Sequence, residues 1–304
     1  MPTAISGGGR IGTNTPAENA FNALSRANDD LALRQLRLST GKRINSASDD
    51  VAGYITSRSL ASRVGSLRSA LNAVGDAKNV AAIAQDGLDN VNDLLTQIKD
   101  AISSAASGAL GTDEKVSLAQ AAARLTDQIQ TVVDSTVFGG QELINGSFSE
   151  EFVIGFSADN SLISLSFDLS SSNSFYSDVS TSSNTSFAGV TGLDLSALSS
   201  VSSTDLGIFS TSQISATLTS ISNALNNVNN FASFIGGVTN RLTSQETALQ
   251  SQITNFNAAI SRIEDADVAL EQLELIKAQF LQQTSIISLA QANQNPNTFL
   301  QLLG

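Results

Sequence analysis

The stretch RINSASDDVAG, from Arg43 to Gly53, decides how this chain is organised. A helix-favouring run with an apolar stripe precedes it and a much longer one follows, so the stretch predicts a joint between two helices. Asn45 and Ser48 are short polar residues of the kind that cap helix starts. Asp49 and Asp50 are then expected in the first turn of the next helix, where carboxylates complement the positive end of the helix dipole.

A second joint is predicted near the other end of the chain, in SRIEDADVALEQ, from Ser261 to Gln272. There Asp265 and Asp267 interrupt one apolar stripe and can start another. The chain therefore begins with a helix, a joint and a long helix, and it ends with a long helix, a joint and a helix. The segment between the two long helices is peripheral to this plan.

Proline is confined to the two ends of the 304-residue chain, at Pro2, Pro16 and Pro296. Since proline inside a helix removes a hydrogen bond and clashes with the preceding turn, its absence from the interior favours long uninterrupted helices. The first helix is expected from Pro16 to about Lys42, with Thr40-Gly41 ending it.

Sustained apolar periodicity strengthens the helical prediction. Apolar residues recur at alternating steps of three and four from Val64 to Ile102, and again from Leu218 to Ile263. Such a period near 3.5 indicates a coiled coil. A third helix beginning at Thr112 is expected to fold back on its predecessor. Gln245 is a polar interruption of the second seam that could fix its register.

A smaller region has a different pattern. Residues 152–154 and the alternation over residues 162–167 predict strands, with turns at Asn145-Gly146 and Asp159-Asn160. Ser171 to Phe187 is a low-complexity polar tract that is not expected to pack. The predicted fold class is therefore mainly α: an elongated antiparallel coiled-coil or helical bundle, with a small β-hairpin region and paired terminal helices.

Charge and residue content exclude several functions. The formal charge of −12 argues against a nucleic-acid partner, and no apolar run is long enough to span a membrane. Without cysteine or histidine, the chain lacks thiolate metal ligands and the commonest general base. Glu264, Asp265 and Asp267 could form an acid pair or a cation site, but helix capping explains them better. We predict no catalytic, cofactor-binding or metal-binding residue and no enzymatic activity.

The terminal helices carry more large apolar side chains than the rest of the chain is expected to cover. Burying one such side chain is worth about 1.5–3 kcal/mol, so an exposed stripe represents a large unused free energy. The helices could pack only on each other within one chain, or they could also bind further copies in a helical polymer. The residues predicted to act in assembly are Leu24, Leu31, Leu38, Leu273, Ile276, Phe280 and Ile287.

Three stretches resemble bacterial flagellins. LRLSTGKRINSASDDVAG is similar to their amino-terminal signature, and SRIEDADVALEQLELIKAQFLQQTSIISLAQANQNPNTFLQLLG to their carboxy-terminal one. VNNFASFIGGVTNRL, residues 228–242, resembles the segment that precedes the latter. The resemblance covers about residues 17–170 and 190–304, and it implies a structural subunit that self-assembles into the flagellar filament.

The resemblance also implies a division of the chain. Residues 1–43 and 265–304 would form an inner tube, and residues 44–170 and 190–264 a surrounding layer of long helices with a β-hairpin. Residues 171–189 would be a Ser-rich exposed segment, with no room for a large outer domain. The implied location is the extracellular filament, reached through the flagellum's own channel without a cleaved signal peptide, as the start of the sequence leads us to expect. The implied partners are further copies of the chain, the flagellar export apparatus and its chaperone, and the cap and hook–filament junction proteins, with no nucleic acid and no membrane insertion.

The sequence departs from the family pattern at several positions. Ala232 stands where flagellins commonly have arginine, and Gln97, Asp100 and Ala101 stand where Arg, Glu and Leu are usual in the segment recognised by the vertebrate innate flagellin receptor. Recognition by that receptor is therefore left open. Two alternatives are also retained: a hook–filament junction protein, and a secreted membrane-inserting helical translocator.

Overall fold

The computed structural model describes residues 14–157, 161–169 and 186–303, and the side chains of all of these except 186 and 295–303. Its five α-helices are α1 (Thr15–Thr40), α2 (Val51–Ala105), α3 (Thr112–Ser135), α4 (Ile214–Glu264) and α5 (Val268–Leu303). The strands form three antiparallel pairs: β1 (Val137–Phe138) with β2 (Gln141–Glu142), β3 (Ser149–Phe156) with β4 (Leu162–Asp168), and β5 (Ser186–Phe187) with β6 (Val190–Thr191). Short 3-10 helices span Leu195–Ser200 and Gly207–Phe209. The prediction of a mainly helical protein with a small β region is confirmed.

The chain divides into two compact units. Residues Met1–Val64 and Thr254–Gly304 form the first, called here the terminal unit, and residues Gly65–Ile253 form the second, called here the central unit. The terminal unit therefore joins the two ends of the chain. It contains α1, α5, the first turns of α2 and the last turns of α4.

The central unit has one continuous apolar core. The predicted seam of α2 is buried in this core from Ala81 to Ile102, and fully buried side chains of α3 and α4 complete the same core. Its largest buried members in the helices are Leu88, Leu95, Ile98, Ile102, Ile129 and Phe231. The alternation of three and four residues thus places one face of each helix inside, as a coiled-coil seam requires.

The β3–β4 hairpin extends this core. Phe167 on β4 is buried, and its ring lies edge-to-face against Phe148 at 6.1 Å and Phe152 at 6.5 Å between centroids. The strand register shifts between Val153 and Gly155, which marks a β-bulge. In this bulge the Ile154 carbonyl accepts a 2.8 Å hydrogen bond from the Gln245 side chain of α4.

Two sequence predictions fall wholly or partly outside the described residues. The turn at Asp159-Asn160 lies outside them, as do residues 171–185 of the segment predicted to be exposed over residues 171–189. At the end of that segment the structure corrects the prediction, because Phe187 and Ala188 are buried in the core of the central unit. Phe187 begins a two-residue hairpin with Val190, and this turn folds its ring inward.

Candidate assembly surface of the terminal helices

Helix α1 has clear signals at both ends. The Asn14 side chain accepts a 3.2 Å hydrogen bond from the Ala17 amide, and Pro16 occupies the first turn, where its missing N–H costs nothing. Gly41 ends the helix in the left-handed conformation, with φ of 68°. This is the conformation that glycine adopts most easily, so Thr40-Gly41 is a well-defined stop.

Helices α1 and α5 pack side by side in antiparallel orientation. The Asn14 side chain donates a 2.9 Å hydrogen bond to the Ala292 carbonyl, and the Gln282 side chain donates one of 2.6 Å to the Asn28 side chain. At the other end of the pair, Lys42 and Asp265 form an antiparallel backbone bridge. Contacts at both ends and in the middle therefore hold the two helices together along their length.

The surface between the two helices, called here the α1–α5 seam, is formed mainly by alanine and leucine residues. In each helix the buried and half-buried positions recur at steps of three and four. In α1 these positions include Ala17, Ala20, Leu24, Ala27, Leu31, Arg34 and Leu38, and in α5 they include Glu271, Leu275, Ala278, Gln282, Ser285, Leu289 and Ala292. The predicted assembly residues Leu24, Leu31 and Leu38 therefore lie half-buried on this seam.

The predicted assembly residues of α5 are on the opposite side of the helix. Leu273, Ile276, Phe280 and Ile287 are 60%, 57%, 70% and 66% exposed. At 100° per residue they lie about half a turn from the seam positions. Together with the exposed Leu270, these residues form what we call the α5 stripe. The structure thus separates the seven predicted residues into an internal set on α1 and an uncovered set on α5.

A buried ion pair lies in the seam. The Glu271 carboxylate, with 7% of its side chain exposed, binds the guanidinium groups of Arg34 at 2.9 Å and Arg37 at 3.3 Å. Burial alone raises the pKa of Glu271, but the hydrogen bonds and charges of the two arginines outweigh it, so this pKa lies below its ordinary value. The same partner raises the pKa of Arg34. Glu271 is therefore a carboxylate that is ionised and compensated inside the helix pair.

A second ion pair closes the joint. The Lys42 ammonium contacts the buried Glu264 carboxylate at 2.7 Å, and the Arg43 guanidinium donates a 2.8 Å hydrogen bond to the Ile263 carbonyl. The hydrogen bond from Lys42, followed by one from Ser57, holds the pKa of Glu264 below its usual range. The two predicted joints are therefore in contact with each other.

Asp49 and Asp50 do not lie in the first turn of α2, where the sequence predicted them. Asp50 precedes α2 and accepts a 2.9 Å hydrogen bond from the Gly53 amide, so it acts at the cap position and not in the first turn. Asp49 also lies before the helix, where hydrogen bonds from the Ser46 and Asn45 amides lower its pKa. The Asn45 side chain donates to the Lys42 carbonyl, 3.0 Å away.

The remaining joint residues bind separate partners. The Ser48 hydroxyl shares a 2.7 Å hydrogen bond with that of Ser46. Asp267 caps α5 by accepting from the Ala269 amide at 2.9 Å, and Asp265 accepts from the Ser261 hydroxyl. Glu264, Asp265 and Asp267 thus act in different contacts, and in the described part of the chain no group of acidic residues is arranged to hold a metal ion.

The receptor-equivalent positions lie on α2 in the central unit. Gln97 and Asp100 are exposed, and Ala101 is half-buried against the core. The structure therefore leaves two of the three divergent side chains accessible. Whether the innate receptor binds them stays a prediction.

Charge is distributed very unevenly between the units. The terminal unit has ten basic and ten acidic residues, whereas the central unit has six basic and eighteen acidic ones. The entire formal charge of −12 therefore belongs to the central unit. Copies that associate through the terminal unit meet no net like-charge repulsion from it.

Comparison with known proteins agrees with this arrangement. The protein-family model of the bacterial flagellin N-terminal helical region matches residues 11–149. The family model of the C-terminal helical region matches residues 200–303. Flagellin from Bacillus subtilis is 30% identical, covering 97% of this chain and 99% of the relative. The chain belongs to the bacterial flagellin family. Flagellin FlaB1 of Treponema pallidum is a further relative, 26% identical over 96% of this chain and 99% of its own length.

Family membership defines the function. This flagellin is a structural subunit that polymerises with copies of itself into the flagellar filament, and it is not an enzyme. A solved structure described as a flagellar hook-associated protein from Vibrio parahaemolyticus is similar, with a TM-score of 0.56, 15% identity and coverage of 71% of this chain and all of the other. That likeness concerns the fold alone, so the junction-protein alternative is not favoured. The translocator alternative is not favoured either, because the family models and the relatives are flagellins. No helix in the described ranges has the length and apolar character to cross a membrane.

Sequence reasoning missed the residues that tie the flagellin's two ends together. Arg34, Arg37 and Glu271 were not singled out, although all three lie at seam spacing from apolar neighbours. A charged residue that continues an apolar period is the signal that could have found them, because such a side chain must be paired when the seam closes.

Proposed function

We propose that the α5 stripe is the surface through which each flagellin subunit binds the next, and that residues 1–43 and 265–304 form the inner tube of the filament. The observation that carries this proposal is the exposure of Leu273, Ile276, Phe280 and Ile287 on the side of α5 that does not contact α1. An apolar stripe of this length is typical of an interaction site, since monomeric proteins rarely leave large contiguous apolar patches uncovered.

In the same arrangement, residues 44–170 and 190–264 form the layer around the tube. The supporting observation is that the central unit buries its own core and carries all of the net charge. A unit of this kind folds without its neighbours and remains soluble.

A triple substitution tests the role of the stripe. Replacing Leu273, Ile276 and Phe280 by alanine removes side chains that the polymer would bury, at about 2–5 kcal/mol for each fully buried site. We expect a soluble, helical monomer that does not elongate filaments when seeds are added. The matched control replaces three exposed glutamines of the same helix, Gln272, Gln279 and Gln283, by alanine and should elongate normally.

The result that would contradict this proposal is filament growth at the normal rate by the stripe variant. Loss of helical signal in its monomer would contradict the division of labour, because it would mean that the stripe supports the fold of a single copy. Electron microscopy of seeded growth and circular dichroism of the monomer measure the two effects separately.

We further propose the route by which the subunit reaches the filament. The chain is exported through the flagellar channel without a cleaved signal peptide, and its partners on the way are the export apparatus, its chaperone, the hook–filament junction proteins and the cap. The flagellin family supports this route. Intact-mass analysis of subunits from native filaments should give a chain without amino-terminal cleavage of a leader. A mature terminus created by signal peptidase would contradict the proposal.

A further inference from the structure

Residues 143–148 form the loop between β2 and β3, and they contain the one Asn-Gly pair of the sequence, Asn145-Gly146. Leu143 and Ile144 on one side of the pair and Phe148 on the other are buried in the core of the central unit. The pair itself is half-buried. Its position over the core is therefore fixed from both sides, in a unit that completes its core within a single chain.

The Asn145 side chain uses both ends of its amide. Its Oδ1 accepts hydrogen bonds from the Ser147 amide at 2.9 Å and from the Ser147 hydroxyl at 2.6 Å. Its Nδ2 donates to the Glu142 carboxylate. The bond from the Ser147 amide makes an Asx turn, in which the side chain folds over the following peptide group. The turn therefore brings the side-chain carbonyl carbon Cγ of Asn145 towards the backbone nitrogen of Gly146.

Gly146 leaves that nitrogen accessible. Its φ of 87° is in the left-handed region that glycine adopts without strain, and it has no Cβ to shield the peptide group. No group in the described part of the chain accepts a hydrogen bond from its N–H. Asn45-Ser46, in the first joint, provides the contrast, because there the Ser46 amide donates a 2.8 Å hydrogen bond to the Asp49 carboxylate. An amide held in this way is not free to react.

We propose that Asn145 is a site of self-modification, at which the loop converts the asparagine into aspartate or isoaspartate. The Gly146 nitrogen gives up its proton and bonds to Cγ of Asn145, the Cγ–Nδ2 bond breaks, and Nδ2 leaves as ammonia with that proton. Water then opens the resulting cyclic imide at either of its carbonyls. Water is the only co-reactant, and no oxidation or reduction occurs. This inference does not depend on the assembly surface proposed above.

The two Ser147 donors promote the ring closure. When the Gly146 nitrogen attacks, negative charge develops on Oδ1 of Asn145, and both donors already lie at hydrogen-bond distance from that atom. Donors placed in advance where charge develops lower the barrier, because they need no rearrangement during the reaction. Holding the nitrogen next to Cγ adds the advantage of proximity.

The product of this reaction differs from asparagine in its charge. A carboxylate at position 145 can no longer donate to Glu142, so two negative charges would lie where a hydrogen bond is now. Like charges held this close repel each other. Isoaspartate also lengthens the backbone of the loop by one carbon atom. We therefore expect modification to loosen the loop over the core at Leu143 and Ile144.

Incubation of the full chain in mildly alkaline buffer, followed by peptide mass spectrometry, measures the reaction rate at each asparagine. Loss of the amide appears as the mass change from an amide to a carboxyl group, and chromatography separates aspartate from isoaspartate. We expect Asn145 to react about tenfold or more faster than Asn45. An equal or lower rate at Asn145 would overturn the proposal.

Two serine variants test the role of the donors. Ser147→Ala removes the hydroxyl that bonds Oδ1, and we expect it to slow the reaction about tenfold in the native chain but not in urea, where the loop is absent. Ser149→Ala, at an exposed position on β3, is the matched control and should react like the unmodified chain. A native rate in Ser147→Ala that equals or exceeds that of the unmodified chain would mean that these hydrogen bonds shield the amide, and it would overturn the proposal.

The expected loosening of the loop is measured with Asn145→Asp, which carries the charge of the aspartate product. Hydrogen exchange at residues 143–148 should accelerate about tenfold in this variant, because the loop opens more often. Adding Glu142→Gln should reverse most of the acceleration, since it removes the repelling charge. Equally slow exchange in Asn145→Asp and in the unmodified chain would contradict the predicted effect of modification on the core.

Discussion

The two units of this flagellin use apolar side chains in opposite ways. The central unit buries Phe231, Leu88 and Leu95 completely, whereas the terminal unit leaves Phe280 70% exposed and Ile287 66% exposed. The buried apolar side chains of the paired terminal helices are small, such as Ala27 and Ala278. One unit therefore completes its core within a single chain, and the other has a thin seam and an open apolar surface.

The two units also differ in net charge. All of the formal charge of −12 lies in the central unit, while the terminal unit is neutral. Apolar surface drives association without direction, and net charge opposes it. Separating the two along the chain lets the terminal unit associate while the central unit keeps the subunit soluble.

The largest expected difference in monomer stability is between the alanine variants of Phe231 and Phe280. Phe231→Ala should lower the free energy of unfolding of the monomer by about 3–5 kcal/mol, because it leaves a cavity in a closed core. Phe280→Ala removes the same atoms from an exposed site and should change it by less than about 0.5 kcal/mol. Urea unfolding followed by circular dichroism measures both. Equal losses of unfolding free energy in the two variants would contradict the claim that only the central unit completes its core within one chain.

Acid should act on the terminal unit through Glu264 and Glu271. Both have pKa values below the ordinary 4.5, so near that pH the unfolded chain binds more protons than the folded one. The stability they contribute is present above about pH 4.5 and is lost as the pH falls through their lower folded values. In the filament, where exchange in these helices is expected to be slow, hydrogen exchange in α1 and α5 should accelerate, after correction for the intrinsic rate, between about pH 5 and about pH 3.

The matched variant for the acid experiment is Glu264→Gln with Glu271→Gln, which cannot ionise at these two positions. In the filament its terminal helices should exchange faster at about pH 7 than those of the unmodified chain, and their exchange should respond less to acid. An unchanged acid response in this variant would mean that other carboxylates control the stability of the pair.

Gln245 gives a smaller, local effect within the central unit. Gln245→Leu should cost about 1–3 kcal/mol, because the Ile154 carbonyl in the bulge loses its donor. Gln250→Leu, at an exposed position on the same helix, is the control. Hydrogen exchange in β3 and β4 should accelerate in the first variant only. Acceleration throughout α4 in both would show that helix propensity, and not the hydrogen bond, is responsible.

The smallest effect is expected at the first joint. Asp50→Ala removes the cap of α2 and should cost about 0.5–2 kcal/mol, with faster exchange confined to its first turns. Ser48→Ala should be nearly silent, because its hydroxyl contacts only the Ser46 hydroxyl among the described bonds. Comparable losses would show that both residues act in capping.

The sequence predicted the parts of the fold that depend on local pattern. The heptads of α2 and α4, the stop at Gly41 and the strands around Phe152 and Phe167 all follow from residue spacing and turn chemistry. It did not reveal which apolar residues stay exposed, because α1 and α5 carry similar stripes and only their pairing assigns Leu31 to the seam and Phe280 to the outside.

Long-range polar contacts could not be predicted from the sequence either. Glu271 and Arg34 are 237 positions apart, and no local rule relates them. Gln245 was recognised as a polar interruption of its seam, but its partner is a bulge carbonyl 91 residues away. Contacts of this kind depend on which elements become neighbours, and a single sequence does not specify that.

Residue-resolved hydrogen exchange on the same chain, first as monomer and then as filament, tests most directly whether the terminal unit is completed by other subunits. We predict slow exchange in the cores of α2 and α4 in both states. In α1 and α5 we predict fast exchange in the monomer and slow exchange in the filament. Strong protection throughout Leu24–Leu38 and Leu273–Ile287 in the monomer, with no further gain in the filament, would contradict it.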